Sequence, residues 1–353
     1  MPKSACASAV LRRLHRGMAN TRTLGCLSIF LFLALAASVL VNFMLAAASF
    51  GRFESGRVEV ENRPRFNEII LERGGRGTSN KIAVISLRGL ISTGVPGNVG
   101  ESMVDDLRWQ LEQARKDDEV RAVVLVIDSP GGEVTASDMI YNAVAKTRAV
   151  KPVVVYMESV AASGGYYVSC GGQYLMANDT SITGSIGVII QTLNYQQLFD
   201  KIGLAAVIFK SGKFKDMLNG ARPITPEERD YIQSFVMNTY EKFLGIVARE
   251  RHLSADVLRN GIADGRILSG RDALQYKLID GLGQVEDAYA KAKELGHAPT
   301  ARIVKYAPPL SLGRFLRLFV KGGDTRIELS LPGQLSPQLQ SGHAYFLPSF
   351  YAP

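Results

Sequence analysis

The sequence has few cysteines and few histidines for a chain of 353 residues. Of its three cysteines, Cys6, Cys26 and Cys170, only the last falls in the main body of the chain, which excludes a disulfide within that body. None of the four histidines follows a predicted strand; they are His15, His252, His297 and His343. Histidine, cysteine and acidic residues nowhere have the spacing of metal ligands, so we expect no metal and no cofactor.

Negative charge is absent from the first fifty residues, which contain five basic residues. This segment accounts for five of the eight charges in the net charge of +8. The excess left for the rest of the chain is too small and too scattered to favour nucleic acid as a partner. With 46% hydrophobic and 21% charged residues, the composition indicates a globular protein with a sizeable core.

No charged residue occurs between Thr23 and Gly51, and residues 24–48 form an apolar run longer than the ~20 residues that cross a bilayer. This run predicts a single transmembrane anchor. Because the basic residues all precede it, the positive-inside rule predicts a cytoplasmic N-terminus (1–23) and an exported part beyond the anchor. A cleaved signal peptide is the alternative, although the run exceeds the ~7–15 residues of a normal signal core.

The exported part divides into four predicted segments. Residues 49–80 are polar and rich in glycine and arginine, which indicates a flexible tether. Residues 81–300 form the main domain. Residues 301–321 combine leucine and phenylalanine with basic residues and suggest an amphipathic helix, lying either on the membrane or against a neighbouring subunit. Residues 322–353 are loop-like and predicted to be disordered.

The main domain alternates apolar runs with amphipathic stretches, which predicts an α/β fold with parallel βαβ units. Strands are predicted at Ile82–Leu87, Ala122–Ile127, Val153–Met157, Gln173–Ala177, Val188–Thr192 and Ala205–Phe209. Helices are predicted from Ser102, over Ala136–Arg148 and Tyr166–Cys170, and from Thr225 to about Arg251. The starts at Ser102 and Thr225 have capping-box spacing.

Two loops that follow predicted strands have the composition of a ligand site. Residues 128–132 (DSPGG) end in paired glycines, which allow close approach of the backbone to a ligand. Residues 159–165 (SVAASGG) place a serine among small residues ahead of a helix, where backbone N–H groups can bind an oxyanion. The alternative is structural, since paired glycines commonly form turns and serine commonly caps helices.

A serine nucleophile requires a base, and the positions of the histidines make a Ser-His-Asp triad improbable. A lysine base remains, with three candidates in one segment: Lys210, Lys213 and Lys215. Lysine acts as a base only when neutral, so its pKa must fall from its ordinary ~10.4 by about 3 units, which corresponds to roughly 4 kcal/mol. The residues alone do not choose among the three lysines.

Five motifs together resemble the signal peptide peptidase A (protease IV) family in its short, single-domain form. They are DSPGG (128–132), AASGGYY (161–167), TGSIGV (183–188), SGKFKD (211–216) and GRILSGRDALQYKLIDGLG (265–283). The resemblance covers about residues 80–295. It implies the Clp protease/crotonase-like fold of repeated ββα units.

The resemblance also implies roles for single residues. Ser163 would be the nucleophile and Lys215 the general base. Ser185 would hydrogen-bond that lysine and orient it. The backbone N–H groups of Gly132 and Gly164 would form the oxyanion hole.

The activity implied is that of a serine endopeptidase with a Ser-Lys dyad, located at the inner membrane of a bacterial cell. Its substrates would be apolar peptides, chiefly signal peptides left in the membrane after release from exported proteins. A homo-oligomer is implied, commonly a ring of eight in which adjacent protomers share the site. In some relatives a C-terminal segment occupies the active-site groove and is trimmed by the enzyme itself, which is one expectation for residues 322–353.

Three other readings fit parts of the sequence. A stomatin-associated Ser-Lys membrane protease would carry several later spans, which this chain does not have. A crotonase-type acyl-CoA-binding protein also uses paired glycines but has no need of Ser163 with Lys215. An inactive scaffold of protease fold is disfavoured because Ser163, Ser185 and Lys215 are all chemically competent.

Overall fold

The computed structural model describes residues 28–44, 65–94, 102–307 and 345–346. The chain divides into two compact units, Met1–Asn62 and Arg63–Pro353. In the first unit, the described residues form one exposed helix, α1 (28–44). No helix within the described ranges has both the length and the apolarity to span a bilayer. Both ends of the predicted anchor lie outside the described residues, and the anchor stays a prediction.

The second unit contains a mixed sheet of nine strands among the described residues. They are β1 (Asn67–Glu72), β2 (Lys81–Arg88), β3 (Val120–Ser129), β5 (Val153–Ala162), β6 (Tyr174–Ala177), β7 (Ile182–Gly184), β8 (Ile267–Ser269), β9 (Gly281–Leu282) and β10 (Arg302–Ala307). The order across the sheet is β1-β10-β2-β3-β5-β6-β9, with β7 beside β5 and β8 beside β7. The two remaining strands, β4 (Gly132–Glu133) and β11 (Tyr345–Phe346), pair with each other.

The central strands are parallel, as the sequence predicts. From β10 to β9 every neighbouring pair is parallel, whereas β1 joins β10 antiparallel. Strands β2, β3 and β5 are buried over most of their length because their β-branched runs face apolar side chains on both sides. The strands predicted at 82–87, 122–127 and 153–157 are therefore confirmed.

The helices cover both faces of the sheet. They are α2 (Met103–Lys116), α3 (Val134–Arg148), α4 (Gly164–Ser169), α5 (Gln196–Lys201), α6 (Pro226–Arg251), α7 (Ala255–Arg259), α8 (Gly270–Gln275) and α9 (Val285–Leu295). Helices α2, α3, α4 and α6 contribute to the larger apolar core on one face, and α9 packs on the other. The predicted capping box at Thr225 forms in full, with reciprocal hydrogen bonds between Thr225 and Glu228. The one at Ser102 forms in part, because its hydroxyl accepts from the N–H of Asp105.

Two predicted strands are absent. Residues 188–192 form only an isolated bridge at Ile189, and residues 205–209 have no regular structure. Between residues 205 and 209 the apolar side chains are exposed, as in Val207 (76% exposed) and Phe209 (94% exposed). Residues 188–190 are partly buried, and Val188 packs against the larger core, but their described backbone pairing is limited to the bridge between Ile189 and Tyr345. A run of apolar residues forms an extended strand only when a partner strand runs alongside it.

Strands also form where the sequence suggested other structure. Residues 67–72, assigned to the tether, are strand β1, which pairs with β10. Residues 302–307, assigned to the start of the amphipathic segment, are strand β10, so a helix beginning at residue 303 is wrong for this part. Pairing with β2 explains the difference, because it places Ile303 and Val304 inside the sheet, where both side chains are buried. Residues 308–321 lie outside the described residues.

A buried lysine ties β1 to the body of the domain. The ammonium group of Lys81 lies 2.7 Å from Glu68, 2.8 Å from Asp117 and 3.0 Å from Glu119, and its side chain is 7% exposed. Burial opposes ionisation of both Lys81 and Asp117. The hydrogen bonds between them outweigh it, and they raise the pKa of Lys81 and lower the pKa of Asp117.

We expect Lys81→Met to lower the free energy of unfolding at pH 7 by about 2 kcal/mol, because it leaves three carboxylates without their shared cation. The wild type should lose part of this stability as the pH falls below about 4, the ordinary pKa of aspartate, since the unfolded chain then binds more protons at Asp117. Urea unfolding at pH 7 and pH 3 measures both effects. The exposed Lys116→Met is the control, with an expected change under about 0.5 kcal/mol. Equal losses in the two variants would contradict this account.

Candidate active site

Ser163 lies at a strained turn where β5 ends and α4 begins. Its φ is 53° and its ψ is −114°, a conformation that non-glycine residues rarely adopt. Its N–H donates to the carbonyl of Gly184 (2.8 Å), and its own carbonyl accepts from the N–H of Tyr167 (2.8 Å). These bonds from β7 and α4 hold the backbone in place, and the residue is completely buried.

The small residues after Ser163 are required by crowding. A Cβ on Gly164 would lie 2.6 Å from the hydroxyl oxygen of Ser137, and one on Gly165 would lie 2.7 Å from the carbonyl oxygen of Ser129. Neither position admits a side chain without movement of its neighbours. The sequence SGG therefore allows the serine loop to pack directly against β3 and α3.

Two glycine-bearing backbones meet beside Ser163. The N atom of Gly132 lies 3.1 Å from the position that a Cβ on Gly164 would occupy. Gly131 has a φ of 109°, and a Cβ there would lie 2.6 Å from the N atom of Gly164. Ser163 thus lies beside the N–H groups of Gly132 and Gly164, which the family resemblance assigns to an oxyanion hole.

The hydroxyl of Ser163 is buried and has no hydrogen-bond partner among the described residues. A buried polar atom without a partner is rare in folded proteins and carries a cost of about 1–3 kcal/mol. This hydroxyl can consequently form a hydrogen bond with a group other than the described residues.

Strand β11, from the C-terminal tail, lies in the groove beside this serine. Phe346 pairs antiparallel with Gly132, and Tyr345 with Glu133. On the other side, Tyr345 and Ile189 exchange two backbone hydrogen bonds of 3.1 Å each. Tyr345 and Phe346 are therefore held in extended form between β4 and Ile189, as in peptide recognition by strand addition.

The carbonyl group of Phe346 faces the glycines. Its oxygen lies 2.1 Å, and its carbon 3.1 Å, from the position that a Cβ on Gly131 would occupy. The N atom of Gly164 lies 2.6 Å from the same position. The carbonyl oxygen and this N–H therefore share one small space, in which only glycine fits at residue 131.

The side chain of Phe346 fills an aromatic pocket. Its ring stacks on Tyr167 (centroids 5.0 Å apart) and lies 4.8 Å from the ring of Phe243, and it is 1% exposed. The hydroxyl of Tyr167 donates to Asp138 (2.6 Å), which also pairs with Lys242 (2.8 Å). Burial, together with the carboxylate of Asp138, raises the pKa of Tyr167, so this wall stays neutral. The pocket accepts a large apolar side chain.

Ser185 lies close to Ser163 through the pairing of two strands. Strand β7 pairs with β5 so that Gly184 is opposite Ala162, and Ser185 is the next residue. It is 3% exposed, has a φ of 52°, and donates its N–H to the carbonyl of Arg266 (2.8 Å). The two predicted site serines thus occupy adjacent, similarly strained turns.

Lys215 is not part of this arrangement within one chain. It lies in an exposed turn, and its side chain forms no hydrogen bond or ion pair with the described residues. The other two candidate lysines are engaged: Lys210 pairs with Asp216 (2.7 Å), and Lys213 pairs with Glu227. Of the three, only Lys215 has an ammonium group without such a partner in the part of the chain that the structure describes.

Helix α6 connects the lysine turn with the pocket beside the serine. The lysine turn attaches to the start of α6 through Asp216, Arg222 and Glu228. Phe243, which contacts the occupant of the serine's pocket, lies fifteen residues further along the same helix than Glu228. From the helical rise, Glu228 and Phe243 are about 22 Å apart, so the lysine turn and the pocket lie toward opposite ends of α6.

Two of the four histidines, and no metal-binding cluster, lie within the described residues. His252 ends α6 in a left-handed conformation (φ 54°), and His297 follows α9. His15 and His343 lie outside the described residues. Within the described ranges, no group of three or more histidine, cysteine or acidic residues is arranged to hold a metal ion.

Sequence reasoning anticipated a C-terminal segment in the groove but missed the aromatic pocket and the residue that fills it. Tyr345 and Phe346, within the tail predicted to be disordered, form β11. Tyr167 belongs to a recognised motif, but nothing in its spacing shows that it meets Phe243 about seventy-five residues later. The adjacent aromatic residues Tyr345 and Phe346 were the available signal for a docked segment.

Comparison with known sequences finds two family matches and several relatives. Residues 145–298 match Peptidase family S49, and residues 87–194 match Clp protease. "Putative protease MJ0651" of Methanocaldococcus jannaschii is 42% identical over 205 residues, which cover 58% of this chain and 66% of the relative. "Putative signal peptide peptidase SppA" of Enterococcus faecium is 36% identical over 250 residues (68% and 71%). "Protease 4" of Salmonella typhi is 37% identical over 221 residues (62% and 35%), so this chain matches about a third of that longer protein.

We expect Gly131→Ala to slow the reaction of Ser163 with a fluorophosphonate by about a hundredfold, since its Cβ would occupy the space beside the N–H of Gly164. Gly77→Ala is the matched control, because Gly77 also has positive φ (79°) but has nothing within 4 Å of a Cβ. Mass spectrometry of the labelled protein measures both rates. Equal labelling of the two variants would mean that crowding at residue 131 does not affect the serine.

Proposed function

The chain belongs to Peptidase family S49 and is a serine peptidase, and from this premise we propose that Ser163 is its nucleophile and Lys215 of a neighbouring copy its general base. The Clp protease-like α/β fold described above agrees with this assignment. The finer points of the proposal are the Ser-Lys dyad, the sharing of the site, the signal-peptide substrates and the membrane anchor.

The observation that carries the proposal is the tail strand in the groove. Phe346 has the features of the residue on the acyl side of a scissile bond: its side chain is in a pocket, and its carbonyl oxygen lies beside the N–H of Gly164. A protease binds its substrate in this extended, backbone-paired form. The buried hydroxyl of Ser163 lies one residue from that N–H.

In the proposed reaction, neutral Lys215 takes the proton of the Ser163 hydroxyl as the oxygen attacks the substrate carbonyl. The N–H groups of Gly132 and Gly164 stabilise the oxyanion of the tetrahedral intermediate. The protonated lysine gives its proton to the leaving amine as the C–N bond breaks. Water, activated by the same lysine, then hydrolyses the ester, which restores Ser163 and releases the carboxylic acid.

Two observations support sharing of the dyad between copies. The lysine turn and the serine's pocket lie toward opposite ends of α6, and the Ser163 hydroxyl has no partner among the described residues. A neutral lysine also requires a less solvated setting than the exposed turn in which Lys215 lies. Contact with a second copy provides that setting.

The segment before Lys215 has the surface expected for such a contact. Six of its large apolar side chains are more than half exposed; they are Leu193, Leu198, Ile202, Leu204, Val207 and Phe209. Soluble proteins rarely expose contiguous apolar surface without a partner. We propose that this surface packs on the neighbouring copy in a closed homo-oligomer, with a ring of eight as the form that the family resemblance suggests.

The aromatic pocket suggests apolar peptides as substrates. Tyr167 and Phe243 offer a large apolar side chain two aromatic faces and no unpaired charge. Signal peptides contain many such residues. A relative from Enterococcus faecium bears the name putative signal peptide peptidase SppA, which supports this substrate class.

The membrane anchor belongs to the same proposal. Residues 24–48 would hold the catalytic domain beside peptides left in the bilayer, in the inner membrane, with the N-terminus in the cytoplasm and the domain exported. Residues 28–44 are helical, which agrees with this assignment.

We expect Ser163→Ala and Lys215→Ala each to abolish cleavage of a synthetic signal peptide, and their co-expression to restore part of it. Random mixing in a closed ring makes about one junction in four competent. Turnover by purified mixed oligomers measures the recovery, and the exposed Lys146→Ala is the lysine control with wild-type activity. Full activity of Lys215→Ala would refute the dyad. Two inactive variants whose mixture stays inactive would refute sharing.

The tail provides a second test. We expect purified wild-type protein to end at Phe346, because the bond to Leu347 lies where a scissile bond would lie, and Ser163→Ala protein to keep residues 347–353. Intact-protein mass spectrometry distinguishes the two. Phe346→Asp should block trimming by placing a charge in the aromatic pocket. An intact C-terminus in active wild-type protein would contradict the substrate-like role of the tail.

A further inference from the structure

Arg222, seven residues after Lys215 in the chain, forms paired hydrogen bonds with two carboxylates, and this set of bonds is called the Arg222 fork. Its Nε and Nη2 atoms donate to the two carboxylate oxygens of Asp216, each at 2.8 Å. Its Nη1 and Nη2 atoms also donate to both oxygens of Glu228. One guanidinium group thus joins two carboxylates, each with two hydrogen bonds, which is a geometry that lysine does not reproduce.

The two carboxylates belong to different parts of the structure. Asp216 follows Lys215 in the turn, whereas Glu228 belongs to the first turn of α6 and closes the capping box with Thr225. Both carboxylates are nearly buried, with side-chain exposures of 9% and 3%. Arg222 therefore attaches the lysine turn to the start of the longest helix in the described ranges.

The charges in this cluster are matched. Hydrogen bonds from Arg222 and then Lys210 hold the pKa of Asp216 well below its usual range. The guanidinium, followed by the backbone N–H of Thr225, lowers the pKa of Glu228 to about 2. Both carboxylates stay ionised at any pH where the protein functions, so the attachment persists.

No apolar core holds the lysine turn in place, as the burial of the surrounding residues shows. Between residues 191 and 219, all of which are described, no residue is buried. The conformation of the lysine turn consequently depends on polar contacts and on the stacking of Phe214 on Tyr231 (5.6 Å between centroids). Of these, the hydrogen bonds of Arg222 bind the residue next to Lys215, Asp216, and they join it to Glu228 through carboxylates that are only 9% and 3% exposed.

We propose that Arg222 is a positioning residue that fixes the turn of Lys215 on the start of α6, so that the lysine reaches Ser163 of the neighbouring copy in a set geometry. This inference rests on the proposed function. It assigns Arg222 to the base side of the shared site, while the nucleophile and its pocket belong to the other side.

We expect Arg222→Gln to lower kcat by about a hundredfold with little change in KM, because a displacement of about 1 Å in a catalytic group has an effect of that size. Arg222→Lys keeps the charge but loses the fork and should show an intermediate loss. Arg259→Gln is the matched control, since Arg259 also joins two carboxylates, those of Glu241 and Asp256, away from the lysine turn. It should keep wild-type kcat.

Complementation separates positioning from a structural role. A chain with Arg222→Gln keeps an intact Ser163, so co-expression with Ser163→Ala should restore about a quarter of the wild-type activity, while co-expression with Lys215→Ala should restore none. Wild-type kcat in Arg222→Gln, or equal recovery with both partners, would overturn the inference. If the glutamine variant does not fold, Asp216→Asn, which removes the charge that the fork binds, is tested in the same way.

The two hypotheses fail differently. Activity in Lys215→Ala would refute the proposed function whatever Arg222 does. An inactive Lys215→Ala beside a fully active Arg222→Gln would refute only the positioning role.

Discussion

The close approach of three backbone segments at the end of β5 is the constraint on which the site depends. Ser163, the loop of Gly131 and Gly132, and β7 leave no room for a Cβ at several positions. The strain at Ser163 is held by hydrogen bonds from Gly184 and Tyr167 rather than relieved. The result is a buried hydroxyl beside two N–H groups, reached by an extended peptide along β4.

A second constraint follows from the length of α6. The same helix contacts the occupant of the pocket through Phe243 and holds the lysine turn at its other end. A helix transmits position over about 20 Å, so the lysine turn and the pocket lie toward opposite ends of α6. Under the proposed function, assembly is part of catalysis, because a neighbouring copy supplies the base. Strand β11 occupies the groove beside Ser163 in the single chain.

Much of the fold was predictable because its central strands are buried on both faces. Continuous β-branched runs such as 122–127 and 153–157 have few alternatives in an α/β protein. The capping residues Ser102 and Thr225 likewise act through neighbours three residues away, so local sequence is sufficient for them.

The failures depend on long-range partners. The runs 188–192 and 205–209 resemble strands, but the first pairs only at Ile189, with Tyr345 of β11, and the second pairs with no described strand. Strand β1, in contrast, forms because β10 returns to the sheet edge more than two hundred residues later. The residues of the site likewise differ in how far the sequence predicts them. The motifs that the resemblance assigned to Ser163, Gly132, Gly164 and Ser185 converge through the parallel strands. Local sequence holds no information on the meeting of Phe346, Tyr167 and Phe243, or on the separation of Lys215 from the serine.

The most direct test of the account is the distance between the Ser163 hydroxyl oxygen and the Lys215 ammonium nitrogen in the assembled protein, measured by electron cryomicroscopy of the full chain. The account predicts a hydrogen-bond distance of about 3 Å between neighbouring copies and no such contact within a copy. A lysine that reaches the serine of its own chain, or no lysine near the serine in an active assembly, would contradict it.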